Sequence, residues 1–459
     1  MREILMSEML KSFNPANGEV VGEVAVSSPE DIGETVVRAH RAALGWRDQS
    51  LEDRAQLLGR AADRLDERAE ELGHLLSREM GKPLKYGIGE VRFCSESILG
   101  KLDEMVGALQ PRTLEDDNTR STLYYEPFGV CAAISPWNYP MSMPQWLVLP
   151  ALVAGNAVVL KPSEETPLIA QAYVDTLNEF LPAEVLQIVH GADEQGRALV
   201  KADVGLIAFT GSRTAGKHIL GSAADKLKRV ILELGGKDPF IVLPDADIEA
   251  AAQCAVENGY ENGGQMCVSS ERVYVHDSIA EAFEQRVAEL VGNIRYGPWD
   301  DESAEMGPMI NERQRLHVIG QIEDAIKQGA TVLAGGTDHP ARFVVPTVLG
   351  KCDESMTIMR DETFGPVLAI QRVGSAEEAV RLANDNPLGL GGSVFGSPEA
   401  ARAVARRIES GMVGVNKSCF GASGTPWVGA KESGYGYHGS VEGHRQFAQV
   451  KVISEGKLA

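Results

Sequence analysis

Cys267 ends the run Asn262-Gly263-Gly264-Gln265-Met266-Cys267, where glycines and small polar residues lead into a thiol. Such an approach lets ligand and backbone come close, and a nearby amide could meet an oxyanion. The residue types therefore suit a nucleophile, or equally a small buried hydrophobe. Glu233 ends an apolar run just before Gly235-Gly236. A carboxylate there is solvated, paired or functional, since burying an unpaired charge is costly; desolvation would raise its pKa toward that of a general base working near neutral pH. Asn138, in Pro136-Trp137-Asn138-Tyr139-Pro140, either caps a helix or offers an amide to a developing oxyanion.

Two further segments could hold a ligand. Lys161-Pro162-Ser163-Glu164 directly follows an apolar run, with Lys161 as a solvated charge or a ligand contact. Gly211-Ser212-Arg213-Thr214-Ala215-Gly216 opens a helix after a strand, and a helix N-terminus can receive a phosphate. The run is not G-x-G-x-x-G, so pattern alone leaves a dinucleotide open.

The elements that position these residues follow from hydrophobic pattern. Residues 31–79 repeat apolar positions at helical spacing and predict two or three helices whose charges form a solvated face. Short apolar runs at 130–134, 157–160, 186–189, 206–209 and 230–232 predict buried parallel strands, with helices at 141–154, 168–180 and 214–227 between them. Strand-helix alternation gives a doubly wound α/β sheet, which binds ligands at the carboxyl ends of its strands. Ser135-Pro136-Trp137-Asn138, Lys161-Pro162-Ser163-Glu164 and Thr210-Gly211-Ser212 all fall there. Runs at 273–275, 330–333, 344–348, 367–370 and 392–395 predict a second α/β region.

A chain of 459 residues exceeds one core and calls for two large domains. A net charge of −21 argues against a nucleic-acid partner. The apolar stretch 146–160 is cut by Pro150 and Gly155-Asn156, too short to span a membrane. Six scattered cysteines without CxxC spacing, and a start (1–6) without a signal-peptide pattern, fit a reducing, cytoplasmic setting. No metal site is expected.

Taken in order, Pro136-Trp137-Asn138-Tyr139-Pro140, Lys161-Pro162-Ser163-Glu164, Phe209-Thr210-Gly211-Ser212, Leu232-Glu233-Leu234-Gly235-Gly236-Lys237, Gly264-Gln265-Met266-Cys267 and Glu362-Thr363-Phe364-Gly365-Pro366 make the whole chain resemble the aldehyde dehydrogenase superfamily. The resemblance implies oxidation of an aldehyde to a carboxylic acid, with Cys267 as nucleophile, Glu233 as the base that hydrolyses the thioester, and Asn138 sharing the oxyanion with the Cys267 backbone N–H. It also implies NAD as cofactor, with NADP possible. Lys161 and Glu164 would hold the adenosine ribose, with Ser163 beside them; Gly211 and Ser212 would approach the pyrophosphate, with Thr210 and Gly216 in the same turn. Glu362 and Phe364 would place the nicotinamide end, near Trp137 and Leu234.

The fold implied is a doubly wound cofactor domain (1–108 and 128–234), an α/β catalytic domain (235–431), and a small β bridging region (109–127 and 432–459). In that region Tyr124, Tyr125 and residues 447–452 would build an intersubunit sheet, giving a homodimer or homotetramer. The overall pattern, including Glu79-Met80-Gly81-Lys82-Pro83, is most like the succinate-semialdehyde dehydrogenase branch. That branch clamps the substrate carboxylate with arginines at positions that here are Trp146 and Glu261. The late motif also departs, reading Pro426-Trp427-Val428-Gly429 where the family usually has Pro-Phe-Gly-Gly. Trp146, Glu261, Met266 and Trp427 are thus the expected pocket residues, and neutral or amino aldehydes compete with succinate semialdehyde as substrates. A CoA-acylating relative is disfavoured, because thiolysis would not need Glu233. An inactive structural homologue is disfavoured by the intact Cys267, Glu233 and Asn138.

Overall fold

The computed structural model describes residues 8–457, so the start read for an export signal, 1–6, lies outside the described residues. Its first large sheet runs in the order Gly434–Tyr435, Arg229–Leu234, Leu206–Gly211, Val130–Ile134, Ala157–Lys161, Leu186–Ile188. All neighbours are parallel except the short first strand, which pairs antiparallel with Arg229–Leu234. The five expected runs are these parallel strands, and they read as unbroken apolar stretches because helices cover both faces. Strand order reverses between Val130–Ile134 and Leu206–Gly211, so a crevice opens beyond their carboxyl ends, where Asn138 and Ser212 follow.

The expected helices are Ser142–Val153, Pro167–Asn178 and Arg213–Ala223; the last stops before 227, where the chain tightens into a 3-10 turn ended by Leu227 in the left-handed region. Residues 31–79 fall in three helices, Pro29–Arg47, Leu51–Glu67 and Ala69–Met80, the first opened by a capping box of Ser28 and Asp31. The long helix Leu84–Leu109 packs on the latter two.

The second large sheet has seven strands in the order Thr331–Ala334, Thr347–Gly350, Val367–Val373, Ser270–His276, Asp238–Val242, Ser393–Phe395, Gly414–Val415. Thr331–Ala334 lies at the edge and runs antiparallel to its neighbour, and one expectation needs correction: the apolar run at 344–348 enters a strand only at Thr347. Val344 is buried without being part of the ladder, which hydrophobic pattern cannot distinguish from a strand.

A third sheet is antiparallel, with Ala448–Gly456 against Thr119–Pro127 and Arg112–Glu115 beyond. Tyr124 and Tyr125 pair with Lys451 and Val450 of the same chain. Among the described residues no helix is long and apolar enough to cross a membrane.

Candidate active site

Glu233 and Thr210 face each other in register on adjacent strands, as do Leu234 and Gly211. Beyond them Gly235 and Gly236 leave room that side chains would fill: a Cβ on Gly235 would meet the Glu362 carboxylate at 2.3 Å, and one on Gly236 the Cys267 carbonyl at 2.5 Å. Two loops therefore converge on the end of the Glu233 strand. One carries Cys267 through Asn262, Gly263 and Gly264, all in the left-handed region with φ of 52°, 68° and 70°. The other is the turn at Glu362, whose carboxylate accepts the Gly236 N–H at 3.0 Å.

Asn138 comes in from the opposite side, 4% exposed, and its side-chain Nδ2 donates to the Gln265 carbonyl at 3.0 Å. It is not a helix cap: the N-cap of Ser142–Val153 is Met141, and no side chain caps that helix. One amide N–H remains on Nδ2 beside the Cys267 loop. Gln265 braces that loop by accepting the Ile310 N–H at 2.9 Å.

The titration of these groups follows from burial. Burial pushes Glu233 up to about 7, against hydrogen bonds from Cys267, Trp427 and Thr210 that pull it down. Burial, and then the Glu233 charge beside it, push the Cys267 thiol well above its ordinary value. Glu362 is carried up to about 8, first by burial and then by the Glu271 charge. The site therefore favours protonated groups until something takes the thiol proton, and Glu233 is the adjacent acceptor.

Asn138, Glu233, Met266 and Cys267 line one cavity of about 660 Å³, and so do the expected pocket residues Trp146, Glu261 and Trp427. Tyr139, Phe93, Phe420, Lys82, Glu90 and Glu257 also line it and were not singled out from sequence. Tyr139 was within reach, because it follows Asn138 in the quoted motif. Phe93 and Glu90 were hidden, because Tyr86, Gly89, Glu90 and Phe93 share one face of a long helix whose periodicity reads simply as packing. Lys82 is committed to Glu90 by a buried ion pair at 2.7 Å, and Glu90 also accepts the Met141 and Ser142 N–H groups.

The remaining candidates gather at the strand ends of the first sheet. Lys161, the last residue of its strand, pairs with Glu164 at 3.5 Å, and Ser163 lies buried between them in the chain. Ser212 caps Arg213–Ala223, accepting the Ala215 N–H. A Cβ on Gly216 would strike the Leu234 side chain at 2.5 Å, so this glycine sets how closely the helix approaches the strand. Trp137 and Phe364 meet edge to face, with centroids 5.5 Å apart. Arg213 pairs with Glu432 at 3.1 Å and does not line the cavity. A capped helix N-terminus at a topological switch point, glycines allowing close approach, and a Lys/Glu pair able to meet hydroxyl groups form a cradle that fits a nicotinamide dinucleotide.

The comparisons with known proteins agree with this geometry. Residues 5–453 match the sequence profile of the aldehyde dehydrogenase family. The chain is 35% identical, over 98% of its length, to the mitochondrial succinate-semialdehyde dehydrogenase of Arabidopsis thaliana, covering 87% of that protein. It is also 35% identical to the chloroplastic betaine aldehyde dehydrogenase of Beta vulgaris, over 99% of this chain and 94% of that one. Among solved structures, an NAD-dependent aldehyde dehydrogenase from Sinorhizobium meliloti superimposes with a TM-score of 0.94 at 33% identity, covering 98% and 91% of the two chains. An NADP-dependent glyceraldehyde-3-phosphate dehydrogenase from Bacillus halodurans C-125, complexed with NADP, does so with a TM-score of 0.94 at 34% identity, covering 98% and 96%. The chain therefore belongs to the aldehyde dehydrogenase family and is an NAD(P)-dependent oxidoreductase acting on an aldehyde group.

Proposed function

We propose that Cys267 attacks the aldehyde carbon while Glu233 takes the thiol proton, and that Asn138 Nδ2 and the Cys267 N–H stabilise the charge on the substrate oxygen. Once Glu233 has passed that proton on to solvent, its carboxylate deprotonates the water that hydrolyses the Cys267 thioester, so water rather than CoA resolves the intermediate. NAD(P), when bound, supplies the hydride acceptor. Lys161, Ser163, Glu164, Thr210, Gly211, Ser212, Gly216 and Leu234 would hold its adenosine and phosphate parts, and Trp137, Glu362 and Phe364 its nicotinamide end. The observation carrying these roles is the convergence of Cys267, Glu233 and Asn138 on one cavity, with Glu233 raised to about 7.

For substrate we propose neutral and amino aldehydes in preference to succinate semialdehyde. What supports this is the lining: no arginine among the described residues lines the cavity, Lys82 is held by Glu90, and Lys85 is exposed at its mouth. Glu257, Glu261 and Glu305 stand there with the rings of Tyr139, Trp146 and Trp427. Aromatic faces and carboxylates attract an ammonium and repel a carboxylate. Following NADH formation over acidic, neutral, aromatic and amino aldehydes, with both cofactors, tests the assignment; a clear maximum for the acidic class would refute it.

We further infer a division into cofactor (1–108, 128–234), catalytic (235–431) and bridging (109–127, 432–459) parts, and a cytoplasmic homodimer or homotetramer. The oligomer is supported by exposed Leu114, Val450 and Val452 on one face of the three-stranded sheet, an apolar surface costly to leave in water.

A further inference from the structure

The motif that departs from its family's usual form places an indole at Trp427 where a phenyl ring is expected, and an indole carries an N–H that a phenyl ring lacks. That N–H is in use: Trp427 Nε1 donates to Glu233 Oε1 at 3.2 Å. The bond is built into the backbone. Gly434 pairs with Glu233 and Tyr435 with Leu232, the Leu234 N–H donates to the Ser433 carbonyl at 2.9 Å, and Trp427 pairs with His438. One short segment, 427–438, is thus bonded to the strand that carries Glu233. The ring itself is held by Trp146 at 5.4 Å, edge to face, and by Phe420 at 5.6 Å.

We propose that Trp427 is a positioning residue for the general base, its indole N–H holding the Glu233 carboxylate in the ionised form and orientation that thioester hydrolysis needs. The proposal rests on the reading of Glu233 as that base. In hydrolysis Glu233 accepts one proton from water as the water oxygen bonds to the thioester carbon. The C–S bond then breaks, the carboxylic acid leaves, and the thiolate of Cys267 recovers the proton. Only ionised Glu233 can begin this sequence. Burial opposes ionisation, and a donor aimed at the carboxylate opposes burial. The other groups facing Glu233 are the Cys267 thiol, the Thr210 hydroxyl and Asp238, which burial pushes up to about 8.

The experiment uses p-nitrophenyl acetate, which acylates a reactive cysteine without any cofactor. The burst of nitrophenolate reports acylation of Cys267, and the steady state reports hydrolysis. Trp427→Phe should slow the burst less than the steady state, slow the steady state about tenfold at pH 7, and move the acidic limb of its pH profile upward by about half a unit to one unit. Trp146→Phe disturbs the same aromatic wall without touching Glu233; it should change the KM for aldehydes and leave the limb in place. A limb unmoved in Trp427→Phe, or moved equally in both variants, overturns the proposal. An acidic limb that persists in Glu233→Gln overturns instead the assignment of Glu233 as the base, and the role of Trp427 falls with it.

Discussion

Lys237 and Glu271 form an ion pair sealed from water, with side chains 0% and 3% exposed. Glu271 also accepts the N–H groups of Thr363 and Phe364, both at 2.8 Å, and Lys237 donates to the Thr363 hydroxyl at 3.0 Å. The pair therefore ties the turn bearing Glu362 and Phe364 to the strands on either side of the Cys267 loop. Glu271→Gln leaves a buried ammonium without its counter-charge and should cost about 3–5 kcal/mol of stability. Denaturant unfolding measures it. Recovery of most of that loss in the Glu271→Gln, Lys237→Met double variant is expected, and a single-variant loss under about 1 kcal/mol would show that the pair does not hold the turn.

Cys267→Ala should abolish NADH formation from any aldehyde while leaving cofactor binding intact. The other five cysteines offer no substitute: Cys94, Cys131, Cys352 and Cys419 are buried, and none of these or Cys254 lines the cavity. Turnover in the purified variant above about one thousandth of the parent would remove Cys267 from the nucleophile's role.

Glu233→Gln should slow hydrolysis more than acylation, so that an acyl adduct on Cys267 becomes visible by intact-mass spectrometry. In the parent the direction with pH follows from burial. Because burial favours the neutral carboxyl and raises Glu233 to about 7, hydrolysis falls about tenfold per unit as pH drops below that value and levels off above it. A hydrolysis rate flat from pH 5 to 8 would contradict both the base and its environment.

Much of this was legible in residue order because each motif is local. Parallel strands buried on both faces appear as apolar runs, and the residues after them stand at the carboxyl ends whatever the details of packing. Asp238–Val242 escaped because its Asp-Pro opening resembles a turn, although Asp238 is buried there. The contact of Trp427 with Glu233 joins residues 194 positions apart, and only the pairing of 434 with 233 brings them together. Likewise Lys82 was noted as part of a pattern, but its commitment to Glu90, which takes it out of anion binding, is a tertiary fact.

Cofactor choice should favour NAD. Glu164 lies against Lys161 at a strand end, and a carboxylate accepts hydrogen bonds from ribose hydroxyls but repels a 2′-phosphate. Glu164→Ala should narrow the ratio of NAD to NADP specificity constants by about tenfold, chiefly by improving NADP. A parent enzyme already faster with NADP would overturn this reading.

The last prediction concerns substrate charge. Glu261 stands exposed on the cavity wall, where it accepts the Tyr139 hydroxyl at 2.7 Å. An ammonium-bearing aldehyde gains from this charge and from Glu257, whereas succinate semialdehyde meets repulsion with no arginine to offset it. Glu261→Arg replaces a negative charge with a positive one at a point open to solvent, so screening keeps the effect moderate, about 1.4 kcal/mol or tenfold in each direction. The specificity constant for succinate semialdehyde should rise about tenfold, that for an ω-amino aldehyde should fall about tenfold, and that for a neutral aldehyde of equal length should change little. The neutral substrate makes the comparison decisive: if all three constants fall together, the loss of the Tyr139 contact has distorted the pocket. If none changes, Glu261 does not face the substrate and the charge argument for amino aldehydes fails.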